Sequence, residues 1–389
     1  MGSIKRAMAM ASAAAVVSTG LLTTSVAVAQ DESMAPESMA PVACNVGVSW
    51  NNFQQERWAK TDKPNLIATV EAMGGTYLPD FDANLDTAQQ IDDVNTLIEQ
   101  GADVLVILAQ DLNAIGPAVQ AAKDNGIPII AYDRLIEDPD VLYITFDNVG
   151  VGRAEAEAML AAVPSGNYVL IKGDPGDPNA STFLPQGWDE AGLKDKVDAG
   201  EINIIYESFT NAWDTTTAQN NMDAAIQQAN AEGMSIDAVL AENDSTALGV
   251  VASLVAAGLG GTPVSGQDGD KANLNNVAKG LQYVDVWKNS NELGKVAGAA
   301  AIQLCEGVPM DQVTIPDGLI DPAVAPTAGM TASQFESPAG NTINSLILSP
   351  TPITAENLQL VLDGGWVTQE ELCNGVTADM PGAAVCGVS

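Results

Sequence analysis

The chain contains no histidine, only four arginines and few aromatic residues. Without histidine it lacks the usual base that activates a serine or cysteine nucleophile, and it also lacks the commonest protein ligand of transition metals. Its four cysteines show no CxxC spacing, which argues against zinc and redox sites. We therefore predict a protein that is not an enzyme and that uses neither a metal nor another cofactor.

Positive charge is also scarce. The sequence has 15 Lys+Arg against 50 Asp+Glu, a formal net charge of −35. A field of this sign repels nucleic acids and anionic lipid surfaces, so we predict no nucleic-acid partner. After the N-terminal region, no segment has the ~18–20 continuous apolar residues that a membrane-spanning helix needs.

The N-terminal residues 1–29 resemble a secretory signal peptide. Lys5 and Arg6 precede an uncharged stretch rich in Ala, Val and Leu, and Ala27-Val28-Ala29 predicts cleavage before Gln30. An uncleaved N-terminal anchor is the alternative. Residues 30–43 repeat Glu-Ser-Met-Ala-Pro, which predicts a flexible acidic linker. The ordered protein is thus expected in the periplasm or at the cell exterior.

Four cysteines in an exported chain predict two disulfides, for which three connectivities exist. Cys373 and Cys386 are close in sequence, so we pair them. Cys44 opens the first predicted strand, and Cys305 ends a predicted helix that runs antiparallel to the strands. Both then lie at one edge of a sheet, which makes the pairing Cys44–Cys305 geometrically reasonable.

From Cys44 onward, short apolar strands alternate with helices of three-to-four-residue periodicity. Runs rich in Val, Ile and Ala are typical of parallel strands covered on both faces, so repeated βα units predict doubly wound α/β domains. The predicted strands are Asn45–Trp50, Thr76–Asp80, Val104–Ala109, Pro128–Asp133, Tyr143–Asn148, Asn167–Gly173, Ile202–Ser208, Ala238–Asn243, Pro263–Asp268 and Tyr283–Lys288. The predicted helices include Thr87–Gln100, Asn113–Asn125, Thr215–Ala231 and Leu293–Glu306.

Many of these strands end on polar or charged residues. The pairs are Asp133-Arg134, Asp147-Asn148, Asn243-Asp244 and Gln267-Asp268, together with Lys288. Ligands of open α/β sheets bind outside the carboxyl ends of the strands. Each residue could alternatively cap the helix that follows. Because the strand ends come from both halves of the chain, we predict a shared ligand cleft.

Two of the three arginines after the signal region lie in promising positions. Glu56-Arg57-Trp58 follows the first strand, and Ala131-Tyr132-Asp133-Arg134 ends the fourth. The five donors of an arginine suit adjacent hydroxyl or ring oxygens, and an aspartate accepts from the same hydroxyls. A surface ion pair is the alternative explanation for Asp133-Arg134.

Nine short motifs follow one another over roughly residues 45–310. They are Glu56-Arg57-Trp58, Asp103-Val104-Leu105-Val106-Ile107, Ala131-Tyr132-Asp133-Arg134, Phe146-Asp147-Asn148, Pro164-Ser165-Gly166-Asn167-Tyr168, Asp177-Pro178-Asn179-Ala180, Asn243-Asp244, Ser265-Gly266-Gln267-Asp268 and Lys288. In this order and spacing they resemble the periplasmic D-xylose-binding proteins. The resemblance implies a type I solute-binding fold, with two Rossmann-like lobes joined by three crossovers around a sugar cleft. One lobe would comprise residues 44–148 plus 289–350, and the other residues 149–288 plus 351–389.

The same resemblance implies a monomer that captures a monosaccharide, D-xylose first, for the membrane permease of an ABC importer. The ligand contacts that it implies are Arg57, Trp58, Asp133, Arg134, Asn179, Trp213, Asn243, Asp268 and Lys288. Trp213 could alternatively be a core residue before a helix. The chain departs from the family at Ser181, where a lysine is usual, and in residues 318–345, which we interpret as a longer surface loop away from the cleft.

The sequence leaves alternatives for the ligand, for the recipient and for the class of protein. Glucose or another aldose could be the ligand, and the protein could carry it to a chemoreceptor. A sugar-responsive transcription regulator would need a DNA-reading helical module and a basic face, which this sequence lacks. A glycoside-processing enzyme would need paired carboxylates with separate roles. Asp133 and Asp268 lie beside Arg134 and Gln267, which favour ionised acceptors rather than an acid catalyst.

Overall fold

A computed structural model describes residues 43–320 and 330–389, and the predicted signal peptide and nearly all of the predicted linker lie outside these ranges. The strands are β1 (Asn45–Trp50), β2 (Thr76–Tyr77), β3 (Phe81–Asp82), β4 (Val104–Ile107), β5 (Ile129–Tyr132), β6 (Val141–Phe146), β7 (Gly166–Lys172), β8 (Ile202–Phe209), β9 (Ala238–Ala241), β10 (Gln267–Asp268), β11 (Asp285–Trp287), β12 (Ser333–Glu336), β13 (Thr342–Leu348) and β14 (Thr351–Ile353). The α-helices are α1 (Lys63–Ala72), α2 (Thr87–Glu99), α3 (Gly116–Asp124), α4 (Asn148–Ala162), α5 (Leu184–Glu190), α6 (Leu193–Asp198), α7 (Thr215–Glu232), α8 (Asp244–Ala256), α9 (Lys271–Lys279), α10 (Ser290–Cys305), α11 (Gln359–Asp363) and α12 (Gln369–Cys373).

The first lobe is built on a sheet with the strand order β12-β13-β6-β5-β4-β1-β2, in which β3 also pairs with β1. All its pairings are parallel except that of β12 with β13. Every residue of β4, β5 and β6 is buried, as expected for central parallel strands that helices cover on both faces.

The second lobe contains the parallel set β8-β7-β9 and the set β10-β11-β14. A parallel bridge between Val239 and Val264 joins the two sets side by side. β14 runs antiparallel to β11. The chain passes between the lobes after β6, after β11 and after β13, so the α/β architecture with two lobes and three crossovers is confirmed.

The helices α1 and α10 pack closely against each other in the first lobe. A Cβ atom at Gly294 would lie 2.5 Å from the carbonyl oxygen of Asp62, and one at Gly298 would lie 2.9 Å from the Thr69 Cβ. The absence of side chains at these positions lets α10 approach the start of α1. The backbone of Asp62 is thereby packed closely against α10 within the first lobe.

The C-terminal segment packs on the second lobe. Trp366, Leu358 and Leu372 share an apolar core with Trp287 and with Leu274 of α9. The Trp366 indole lies 5.6 Å from the Trp287 ring, centroid to centroid. This segment therefore covers the strand that leads into Lys288.

Both disulfides have the pairing expected from the sequence. Cys44 is bonded to Cys305, which joins the start of β1 to the end of α10. Cys373 is bonded to Cys386 across 13 residues of sequence. In the described ranges no helix is long and apolar enough to cross a bilayer.

The prediction that residues 318–345 form a surface loop is wrong in part. Residues Ser333–Glu336 and Thr342–Leu348 form a hairpin, and β13 adds a parallel strand to β6. The polar residues of β12 suit an edge strand, which gives little hydrophobic signal in the sequence. Residues 321–329 lie outside the described residues.

Candidate functional site

A cavity of about 270 Å³ lies between the lobes at the carboxyl ends of the strands. All nine residues that the sequence predicted as ligand contacts line it, and whether they bind a sugar stays a prediction. The lining residues are Gln55, Arg57, Trp58, Asp133, Arg134, Asp177, Asn179, Trp213, Asn243, Gln267, Asp268 and Lys288.

Arg57 lies at the centre of the site and connects the two lobes. Its Nε and Nη2 donate to the two carboxylate oxygens of Asp62 at 3.2 and 2.9 Å. Its Nη1 donates to Asp268 Oδ1 of the other lobe at 3.1 Å. Burial lowers the pKa of Arg57, but Asp62, Asp133 and Asp268 outweigh it and raise that pKa well above its ordinary value. Arg57 is therefore a fixed cation.

Asp133 and Lys288 complete a compact set of alternating charges with Arg57 and Asp268. Asp133 Oδ2 lies 3.2 Å from Arg57 Nη2 and 3.8 Å from Lys288 Nζ. Lys288 Nζ lies 3.6 Å from Asp268 Oδ1. Burial alone would raise the pKa of Asp133, but Lys288, Arg57 and Arg134 together hold it below its ordinary value. Asp133 thus remains an ionised acceptor.

The backbone is strained at three lining residues. Asp133 has φ of 61°, Asp268 of 109° and Trp213 of 57°. Positive φ is uncommon outside glycine and costs on the order of 1–3 kcal/mol per residue, and such strain clusters at functional sites. Asp133 directly follows β5, Asp268 ends β10 and Trp213 ends the short helical turn Asn211–Trp213, and all three line the cavity.

Arg134 pairs with Asp177 of the opposite lobe. Its Nε lies 3.3 Å from Asp177 Oδ2, and its Nη1 donates to the Ala109 carbonyl at 3.4 Å. Burial raises the pKa of Asp177, and Arg134 opposes that rise. The alternative of a surface ion pair between Asp133 and Arg134 does not describe this contact, because the partner is Asp177 and both side chains are largely buried.

Two tryptophans line the cavity from opposite lobes. Trp58 is 2% exposed and stacks under the guanidinium of Arg57, with 4.1 Å between Cζ and the ring centroid. Trp213 is 4% exposed and packs over Gly173, where a Cβ atom would lie 2.1 Å from the indole. Trp213 therefore belongs to the core of its lobe and lines the cavity as well.

Amide groups supply the remaining polar lining. Asn243 caps α8 by accepting from the Thr246 N–H at 2.9 Å, so the capping interpretation of this strand end holds alongside its place in the cavity. Asn179 Oδ1 and Gln267 Oε1 are buried and have no hydrogen-bond partner among the described residues. Buried acceptors without partners are costly, so these two oxygens are free to accept from hydrogen-bond donors of a ligand.

Three residues that line the cavity were not among the predicted ligand contacts. They are Gln55, Asp177 and Gln267, of which Gln267 was predicted at the cleft as a polar strand end and Asp177 lies inside a quoted motif. Asp62 anchors Arg57 and accepts from the Tyr132 hydroxyl at 2.6 Å. The sequence offers no indication of this contact, because α-helical spacing pairs residues three or four apart. Here a π-helical turn, Trp58–Asp62, brings Arg57 and Asp62 together although they are five residues apart.

The arrangement presents donors, acceptors and flat rings around one cleft. Planar cationic donors and ionised acceptors match adjacent hydroxyl groups, and indole rings match apolar C–H faces. Within residues 43–320 and 330–389 no group of histidine, cysteine or carboxylate side chains could hold a metal ion.

These features define a two-lobed α/β protein with a charged, polar cleft between the lobes, the architecture of solute-binding proteins. Residues 46–308 match the family model described as periplasmic binding protein domain, and the chain belongs to this family.

The names of similar proteins describe them as sugar-binding proteins. The chain is 35% identical over 280 residues to the D-xylose-binding periplasmic protein of Escherichia coli K12, covering 71% of this chain and 82% of that protein. It is 28% identical over 348 residues to the multiple sugar-binding periplasmic receptor ChvE of Rhizobium radiobacter, covering 84% and 92%. An ABC transporter solute-binding protein of Clostridium phytofermentans, solved with bound β-D-glucose, superposes with a TM-score of 0.71 at 29% identity, covering 84% of this chain and 99% of that one.

Proposed function

We propose that this protein captures a monosaccharide, D-xylose first, and delivers it to the permease of an ABC importer. The observation that carries the proposal is the buried charge set Arg57, Asp133, Asp268 and Lys288, which spans both lobes of the cleft. Unpartnered acceptors lie beside it in the same cavity. A pyranose offers hydroxyl groups to such a set without adding charge.

Each predicted contact residue has a role in this proposal. Arg57, Arg134 and Lys288 donate to hydroxyl or ring oxygens, and Asp133 and Asp268 accept from hydroxyl groups. Asn179 and Asn243 contribute amide contacts. Trp58 and Trp213 cover the apolar faces of the ring. If stacking buries about 100–150 Å² of apolar surface, it contributes roughly 3 kcal/mol at ~25 cal/mol/Å².

The same proposal includes the bounds of the lobes, the oligomeric state and the location of the protein. Residues 44–148 plus 289–350 form the N-terminal lobe, and residues 149–288 plus 351–389 form the other. The protein acts as a monomer outside the cytoplasm, exported by residues 1–29, and it neither binds nucleic acid nor turns its ligand over. The family supports this view, since its named relatives are periplasmic binding proteins and receptors.

Glucose or another aldose is the second candidate ligand, and a chemoreceptor the second candidate recipient. The related structure with bound β-D-glucose favours this alternative. The two ligands differ by one hydroxymethyl group, so the choice depends on the space beside one ring carbon.

Isothermal titration calorimetry with D-xylose, D-glucose, D-ribose and L-arabinose tests the proposal. We expect saturable 1:1 binding of at least D-xylose, with the sugar recovered unchanged. The Arg134→Ala variant should lose the sugar-induced rise in melting temperature while keeping nearly the unliganded melting temperature of the wild type. Absence of heat with all four sugars would overturn the proposal, and a large loss of unliganded stability would show that Arg134 serves the fold.

A further inference from the structure

The hairpin of β12 and β13 contacts the second lobe through Phe335. The Phe335 ring lies 5.9 Å from that of Phe183, centroid to centroid, with an angle of 69° between the ring planes. Edge-to-face pairs of this kind attract each other beyond the effect of the area that they bury. Phe183 is buried and ends the π-helical turn Asn179–Phe183, whose first residue is a predicted ligand contact. The hairpin therefore joins the two lobes near one side of the cleft.

The same phenylalanine also packs behind a predicted ligand contact of the first lobe. Its ring lies 5.5 Å from that of Tyr143, centroid to centroid. The Tyr143 hydroxyl donates to the carbonyl oxygen of Asp133 at 3.2 Å, and Thr145 Oγ1 donates to the same oxygen at 2.9 Å. Because Asp133 has positive φ, these bonds hold a strained backbone in place. Phe335 thus supports the residues that fix Asp133.

Glu137 fixes the tip of the hairpin to the loop that follows β5. Its carboxylate accepts from Ser337 Oγ, from the Ala339 N–H at 3.2 Å and from Asn341 Nδ2 at 3.2 Å. Hydrogen bonds to a carboxylate are stronger than those between neutral groups. Glu137 follows Arg134 by three residues, so one loop carries both a predicted ligand contact and the anchor of the hairpin.

The aromatic contact lies beside the crossover between β6 and α4. A cavity of about 250 Å³ is lined by Phe335 and Phe183 together with Asp147 and Val149 of this crossover. Opening the cleft turns one lobe about the crossovers, which moves Phe183 relative to Phe335 because the two rings belong to different lobes. Close-packed side chains adopt discrete arrangements rather than deforming continuously, so the paired rings favour the closed arrangement.

We propose that the hairpin is a latch for the closed cleft, with Phe335 as a positioning residue between the lobes and Glu137 as its anchor. Neither residue lines the cavity, so neither touches the sugar. The latch holds Asp133 and Asn179 in place and slows release of the bound sugar. This inference rests on the proposed sugar-binding function and adds residues outside the cleft that govern release.

Stopped-flow tryptophan fluorescence of the full chain tests the latch. It measures the dissociation rate of D-xylose, or of D-glucose if that is the sugar that the wild type binds. Phe335→Ala should raise this rate about threefold to tenfold, the effect of one lost aromatic pair, and should leave the association rate within about twofold.

Variants of the anchor test the second part of the latch. Glu137→Ala should also speed release, and Glu137→Gln, which keeps an acceptor oxygen, should recover most of the wild-type rate. Combined with Phe335→Ala, Glu137→Ala should add less than its separate effect, because both changes act through the hairpin. Full multiplication of the two effects, or a Glu137→Ala variant with the wild-type rate, would refute the role of Glu137 as the anchor.

Phe81→Ala is the matched control, because Phe81 is a partly buried phenylalanine packed on the same apolar cluster as Phe335 and does not line the cavity. It should keep the wild-type dissociation rate, and melting curves should show all variants folded. A wild-type rate in Phe335→Ala, or an equal rise in Phe81→Ala, would overturn the latch.

A measurement without sugar separates failure of the latch from failure of the proposed function. If no sugar binds the wild type, the proposed function fails, and small-angle X-ray scattering then decides the latch. We expect unliganded Phe335→Ala to have a larger radius of gyration than both the wild type and Phe81→Ala. Equal radii for the three proteins would refute the latch as well.

Discussion

Individual strand ends behave differently even though the sequence treats them alike. Asp133 and Asp268 have positive φ and turn into the cleft. Asp147 instead caps α4 by accepting from the Gly150 N–H at 2.8 Å. The parallel arrangement of the strands predicts that such residues lie at one edge of the sheet. The local backbone angles then decide which of these side chains point into the cavity. The sequence does not display those angles, because aspartate tolerates both conformations.

The contact between Gly173 and Trp213 gives a test at the residue scale. In Gly173→Ala the new Cβ would lie 2.1 Å from the indole, so the ring must move out of its position beside the cavity. We expect sugar affinity to fall at least tenfold, since stacking on one face is lost. Gly116→Ala is the control, because a Cβ there meets nothing within 4 Å. Calorimetry that shows wild-type affinity for Gly173→Ala would contradict a stacking role for Trp213.

At the scale of elements, the central strands were well predicted and the edges were not. β1 has the predicted bounds, Asn45–Trp50, and β4, β5 and β6 lie close to theirs. These strands are continuous apolar runs, which give a clear signal. The hairpin of β12 and β13 was missed because its outer strand is polar and its neighbourhood is rich in Gly, Pro and Ser. The π-helical turn that brings Asp62 to Arg57 also escapes a search for α-helical spacing.

Trp366 of the C-terminal segment contacts the direct sequence neighbours of two predicted contact residues, Asp268 and Lys288. Trp366 Nε1 donates to the carbonyl of Gly269, directly after Asp268, at 2.5 Å. The same ring packs against Trp287, directly before Lys288. Trp366→Phe keeps an aromatic ring and removes the hydrogen bond, so we expect sugar affinity to fall about threefold to tenfold with a modest loss of stability.

Trp188→Phe is the control for this variant. It removes another buried indole hydrogen bond, the one to Glu155 at 2.9 Å, at a position that does not line the cavity. Titration calorimetry and thermal melts of both variants separate the two effects. Equal loss of affinity in both would show a general effect of stability and would refute a positioning role for Trp366.

The N-terminus of α9 gives a pH test. Burial, followed by the charges of Asp268 and Glu56, raises the pKa of Asp270 to about 7. The folded state then holds a proton that the unfolded chain, with a pKa near ~4, has released. This contribution to stability is full below about pH 4 and is lost as the pH rises through about 7.

Asp270→Asn should therefore flatten the fall of the melting temperature between about pH 4 and pH 7. The exposed Asp92→Asn serves as the control and should keep the slope of the wild type. Melting temperatures measured at half-unit steps of pH provide the comparison. A slope in Asp270→Asn equal to that of the wild type would contradict protonation of Asp270 in the folded protein.

For the molecule as a whole, family resemblance and topology together predicted most of the arrangement. The resemblance implied two lobes, three crossovers and the set of contact residues, and the order of strands with their polar ends predicted doubly wound domains that share a cleft. How tightly the lobes close does not follow, because it depends on contacts between residues distant in sequence. The Arg57–Asp268 and Arg134–Asp177 pairs are of this kind, and they hold the cleft closed across residues from both lobes.

The two disulfides should differ in their effect on global stability. In the chain-entropy model a disulfide stabilises more when it closes a longer loop. The Cys44–Cys305 bond spans a separation of 261 residues, and the Cys373–Cys386 bond spans 13. Replacing the first pair by serine should lower the free energy of unfolding by roughly 5 kcal/mol, and replacing the second by roughly 3 kcal/mol. Urea unfolding of the two double variants measures the difference. If removing the Cys373–Cys386 bond lowers the free energy of unfolding more than removing the Cys44–Cys305 bond, local packing around the C-terminal segment rather than chain entropy governs the effect.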